Sequence, residues 1–307
     1  FAMIVGFSVK AGMFPFHAWL PTAHPVAPAP ASAVMSGIIV KMGVLGMVRV
    51  VYYLIGPEFI RGTWVQTAWI SLTLITVFMG SMLAYREKLL KKRLAYSTVS
   101  QISYILFGMA LLQPEGLTGS LLHVVFHGVI KSALFLCAGA VIYMTGKTSV
   151  EQLKGIGKEM PVTIWCYTLV SVALIGIPPA SGFISKWYLA IGALESEIPT
   201  FSWLGPVVLL ISALLTAGSL HSGIRVFAWL GPVILLISAL LTAGYLLPIT
   251  VDGFLPGAEF DYDSLEKKEP VKKMVVPLVI LAGMAIGLGV LPNPLTEFVS
   301  GIVNMVL

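Results

Sequence analysis

The chain has 307 residues, of which 57% are hydrophobic and only 11% charged, against about a quarter charged in an ordinary soluble domain. Apolar runs of about 20 residues recur along it, long enough to cross a bilayer as helices, and the short alternating segments of a β-barrel are absent. The formal charge of +5 sits mostly between these runs, where it reports membrane orientation and not nucleic-acid binding.

Residues 1–20 predict an interrupted span holding Lys10 and Pro15, and the opening FAMIVGFSVKAG reads like the middle of a span, as in a chain that lacks an N-terminal portion. The following PTAHPVAPAPAS is rich in Pro, which forbids a regular helix and favours an extended connection. His17 and His24 then read as loop residues, His17 also lying within reach of a polar interior. Spans are expected at 31–54, with Lys41 near the centre, and at about 64–84. The basic stretch YREKLLKKR, residues 85–93, separates these from a span at about 94–112 that is richer in Ser, Thr and Gln than a lipid-facing helix.

Gly119–Tyr143 is the next span, and it carries His123, His127 and Lys131 at intervals of four residues. That spacing keeps all three on one side of a helix, drifting by about 40° per step. A second basic loop, 145–160, follows. Two spans separate the two basic loops, so both fall on one side of the membrane, and the positive-inside rule makes that side cytoplasmic. Residues 161–195 predict a helix broken at Pro178-Pro179 and Gly182, with Lys186 just beyond the break. Broken helices at membrane depth mark transport pathways.

FSWLGPVVLLISALLTAG, from Phe201, recurs from Phe227 with sixteen of eighteen positions matched at an offset of 26 residues. Such a close copy marks 201–226 as a tandem-duplicated insert of 227–252, because architectural repeats diverge more and recur more often. Counting one functional span over 201–251 returns the mixed-charge loop 252–273 to the cytoplasmic side, and a last span follows at about 274–291. The whole is one transmembrane domain. Cys137 and Cys166 lie in apolar spans without metal-ligand spacing and read as packing residues.

The chemistry of the chain lies in Lys10, Lys41, His123, His127, Lys131 and Lys186. A lysine at the centre of a lipid-exposed helix costs roughly 2.5–3.5 kcal/mol, so four of them call for a polar interior. There a lysine or histidine binds and releases protons according to its neighbours. The plainer readings are a snorkelling Lys10, histidines that merely link helices, and a Lys186 that caps a broken helix. No metal motif, nucleophile elbow or phosphate-cradling loop accompanies them.

VKAGMFPFHAWLPTAH, SGIIVKMGVLGMVR, KKRLAYSTVSQISYILFG, HVVFHGVIKSALFLCAGAVIY, LKGIGKEMP and ASGFISKWYLAIGAL, in this order, resemble the antiporter-like membrane subunits of proton-pumping NADH:quinone oxidoreductase (complex I), membrane-bound hydrogenases and Mrp-type cation/proton antiporters. FISKWYLAIGAL and ALLTAGYLLPITVDGFLPG are most similar to the Mrp D-type subunit. The resemblance implies an all-α polytopic bundle of two inverted five-helix units, each with a broken helix, the first unit incomplete here and the Glu that pairs with Lys10 missing.

It further implies a hydrated axis through Lys10, Lys41, His123, His127, Lys131 and Lys186 that moves protons, with sodium as the alternative ion. By the same resemblance the chain has no redox cofactor of its own and works among other membrane subunits in a bacterial or archaeal cytoplasmic membrane. The competing readings are a structural membrane scaffold and a stand-alone solute carrier.

Overall fold

A computed structural model describes residues 1–195, 225–257, 260 and 266–307. The first copy of the duplicated segment, 201–226, lies almost wholly outside them, as does His221. The described residues are helical, and five helices are long and apolar enough to cross a membrane. In chain order the helices are α1 (Ala2–Ala11), α2 (Trp19–Val26), α3 (Ala29–Ile55), α4 (Trp64–Arg86), α5 (Leu90–Ala110), α6 (Pro114–Thr145) and α7 (Pro161–Ile175). They are followed by α8 (Ser181–Glu195), α9 (Arg225–Phe254), α10 (Lys272–Val290) and α11 (Asn293–Val303). The amphipathic α11 continues past the last predicted span.

The loops gather at two ends. At one end Leu90 N–H donates to Thr148 O (3.0 Å) and Val150 N–H to Lys88 O (2.9 Å), and Lys88 pairs with Glu151 at 2.8 Å. The two basic stretches therefore touch, as their spacing requires. Gly155 N–H donates to Asp252 O (3.0 Å) and Lys268 N–H to Glu159 O (2.8 Å), which brings the loop after α9 to this same basic end. Glu269 joins them by accepting from the N–H and hydroxyl of Thr163, at 3.1 and 2.8 Å, in the first turn of α7. A carboxylate there satisfies orphan donors and opposes the positive end of the helix dipole. At the far end, Arg61 donates to Leu112 O (2.9 Å) and Gln113 to Glu195 O (3.4 Å).

Two spans are broken inside the bundle. α1 and α2 run from the far end to the basic end and part at residues 12–18, where Phe14 N–H donates to Thr76 Oγ1 in the middle of α4 (3.0 Å). α7 and α8 run the opposite way and part at residues 176–180. These are the predicted breaks, with inverted directions. The Pro-rich stretch departs from expectation, because residues 19–26 are helical and only Ala27 and Pro28 are extended. Pro21 sits in the first turn of α2, where no N–H is needed, so only Pro25 removes a helical bond.

α5 is the centre of the bundle, buried along nearly its whole length. Its Ser, Thr and Gln side chains face other helices and not lipid. Ser100 of α5 lies 2.8 Å from Ser81 of α4 and 3.2 Å from Ser238 of α9, with Ser81 and Ser238 2.6 Å apart, so three hydroxyls pin three helices together. Arg93 donates to Tyr245 O at 2.9 Å and anchors α9 nearer the basic end.

Candidate functional site: a buried lysine and histidine row

Lys41 stands just after a π-helical turn, Met35–Ile39, in which Val40 N–H reaches back five residues to Met35 O at 3.2 Å. Such single wide turns interrupt α-helices at functional positions. The side chain of Lys41, 6% exposed, folds back and donates to Ser36 O at 2.6 Å. Gly37, in the same turn, lets α3 lie directly against α6. A Cβ there would sit 3.3 Å from Gly128 O and collide with the hydroxyl of Ser132. This close approach places Lys41 beside the histidine-lysine face of α6.

From Lys41 the polar contacts continue through α5. The hydroxyls of Ser36 and Thr98 are 2.8 Å apart, and Thr98 donates to Leu94 O at 3.0 Å. The same carbonyl accepts from Lys131 Nζ at 3.0 Å, and Lys131 also donates to the Ser97 hydroxyl. One turn along α6 lies His127, fully buried, with no partner for either ring nitrogen among the described residues. Its ring is stacked 5.7 Å from that of His123.

His123 is held on both sides: Nε2 is 3.1 Å from Gln101 Oε1 and Nδ1 is 2.8 Å from the Ser185 hydroxyl. The amide oxygen and the serine hydroxyl hold both ring nitrogens, and the tautomer decides which nitrogen donates. Ser185 precedes Lys186 on α8. Lys186 Nζ donates to Leu174 O (2.7 Å) and Ile175 O (2.9 Å), the last carbonyls of α7, and lies 5.1 Å above the ring of Tyr104. A cation at those carbonyls complements the negative end of the helix dipole and satisfies backbone groups that the break leaves open. The tight packing of the break requires Gly182, since a Cβ there would collide with Ala173 O.

Five of the six residues singled out from the sequence thus form one series: Lys41, Lys131, His127, His123 and Lys186. Each is within electrostatic range of others in it: Lys41 acts on Lys131, His127 and His123, and Lys186 acts on both histidines. Among the described residues no hydrogen bond joins Lys10 to this series. It lies exposed in the last turn of α1, with its Cβ against the Gly43 turn of α3.

Sequence reasoning missed the side chains between the charges, namely Ser36, Ser97, Thr98, Gln101, Tyr104 and Ser185. The polar composition of residues 94–112 was a signal for Ser97, Thr98, Gln101 and Tyr104, and Ser36 and Ser185 had none. His24 is also corrected. It is no loop residue but is fully buried against Phe135 of α6, with ring centroids 4.4 Å apart, because α2 is helical and turns it inward.

Fold and site together define a polytopic helical membrane protein with a protonatable row through its interior. The family profile described as NADH:quinone oxidoreductase/Mrp antiporter, TM, matches residues 1–215, and the chain belongs to that family. It is 36% identical over 218 residues to NADH-quinone oxidoreductase subunit N of Desulforudis audaxviator (strain MP104C), an alignment covering 70% of this chain and 42% of that one. It is 38% identical over 197 residues to formate hydrogenlyase subunit 3 of Escherichia coli (strain K12), covering 61% of this chain and 32% of that one. In fold it is similar to the Mrp complex from Dietzia sp. DQ12-45-1b, with a TM-score of 0.80, 22% identity, and coverage of 99% of this chain and 58% of that one. The chain therefore spans about half the length of such relatives, or less.

Proposed function

We propose that this chain carries protons through the membrane along Lys41, Lys131, His127, His123 and Lys186, as an antiporter-like, non-redox subunit of a multisubunit membrane complex. The observation that carries this reading is three amines held inside the bundle with no carboxylate paired to any of them among the described residues. Uncompensated charges on Lys41 and Lys131, and on Lys186 and the histidines beside it, repel one another in a medium of low dielectric. Charge on one therefore disfavours charge on the next, and a proton added at one site biases release at its neighbour. Adjoining subunits drive the row by changing the charge presented at its ends.

Lys10, exposed in the last turn of α1 and lying against α3, serves as the contact point to whatever lies beside α1. The positive-inside rule supports a cytoplasmic placement of the basic end in a bacterial or archaeal membrane. Protons are the ion that amines and imidazoles accept directly. Of the duplicated pair, 227–252 is the working span and 201–226 the insert.

The test is proton translocation by the assembled complex in sealed vesicles. Lys41→Ala and Lys131→Ala each lower the rate at least tenfold while the complex still assembles. A normal rate in either variant would sink the relay. The scaffold reading draws on the two carbonyl caps made by Lys186, and it predicts assembly defects with unchanged turnover.

A further inference from the structure

His24 belongs to none of the contacts described for the row, yet it is fully buried and neither ring nitrogen has a hydrogen-bond partner among the described residues. If packing against Phe135 were its purpose, a phenyl ring would serve better, because burying unpaired polar atoms is destabilising. Its position says more. Phe135 follows Lys131 by four residues, on the same side of α6 and one turn nearer the basic end. The His24 carbonyl accepts from the Ser32 hydroxyl at 3.2 Å, and three residues on, Ala27 O accepts from Lys91 Nζ at 2.9 Å. The charges that reach the imidazole are those of Lys131 on the interior side and Lys91 on the basic side.

We propose that His24 is the proton gate between the aqueous basic end and Lys131, a step that rests on the relay reading. A proton from water at the basic end binds one ring nitrogen of His24. The hydrogen on the other nitrogen then leaves towards the free amine of Lys131. One proton enters, one leaves, and the ring changes tautomer and resets by rotation. The same exchange run backwards releases a proton to the basic end. The two unpaired nitrogens are what such a group requires, since a ring fixed by two permanent hydrogen bonds could not alternate its donor.

The experiment compares His24→Phe, His24→Gln and His24→Ala in the full-length subunit within its native complex, beside Lys131→Ala. His24→Phe keeps the aromatic stack and removes the unpaired nitrogens. Its melting temperature is expected to hold or rise while translocation falls at least tenfold, and added imidazole is expected to restore part of the rate in His24→Ala. A wild-type rate in His24→Phe or His24→Gln overturns the gate, as does an assembled His24→Ala complex that imidazole leaves inactive. If Lys131→Ala is inactive and His24→Phe is not, this proposal alone fails. If Lys131→Ala is also fully active, the relay itself fails.

Discussion

Buried amines and imidazoles stay in a folded membrane protein only when each finds something to bond to, and here the partners are mostly backbone oxygens and hydroxyls. Lys186 shows the tension between structure and transport. Its two carbonyl caps make it a structural element, while its place beside Ser185 and Tyr104 makes it the end of the row. Lys186→Arg separates the roles. A guanidinium still caps Leu174 and Ile175 but does not give up its proton. We expect thermal stability close to wild type and translocation lowered at least tenfold, measured on the same preparation. Lys186→Met removes the caps as well and costs about 1–3 kcal/mol of stability for each carbonyl left without a donor.

Helices in this bundle are positioned by a few backbone approaches and by their ends. Gly182 permits α8 to start against the last turn of α7, so Gly182→Val destabilises by about 1–3 kcal/mol through overpacking. The same substitution also displaces Lys186 from its carbonyls. The measurable outcome is a lower melting temperature together with lost translocation.

The start of α5 depends on Glu87. Burial raises the pKa of this carboxyl, but the N–H groups of Leu89 and Lys88 and the ammonium of Lys92 outweigh that and hold it below its ordinary value of 4.5. A carboxyl with a depressed folded pKa stabilises above its unfolded value and loses that contribution as pH falls through the folded one. Glu87→Gln should therefore melt lower than wild type from pH 5 to 8, and the difference should shrink below pH 4.

At the scale of the molecule, the two broken spans run in opposite directions and the loops 87–89 and 146–160 share one end with the described residues 266–271. Single cysteines placed at Lys88, Lys154 and Lys267 are expected to react with an impermeant thiol reagent from one side of the membrane. One at Glu58 is expected to react from the other side. Labelling of Lys88 and Lys267 positions from opposite sides would contradict the arrangement. The inside-out design also explains why α5, the most buried helix, is among the more polar ones. Lipid contacts the outer helices, and the polar groups that line the row must come from the centre.

Hydrophobic length, the Pro and Gly interruptions and the four-residue spacing of His123, His127 and Lys131 were enough to determine the number and breakage of most spans and to single out Lys41, His123, His127, Lys131 and Lys186. These are properties of single helices, so they can be read along one strand of text. Tertiary structure alone decided which charges meet, because Lys41 is linked to Lys131 through Ser36, Thr98 and Leu94 O, on helices far apart in the chain. It also decided that His24 is buried. The Pro-rich stretch looked non-helical because Pro lacks an N–H, but a prolyl residue in the first turn of a helix loses nothing by that lack.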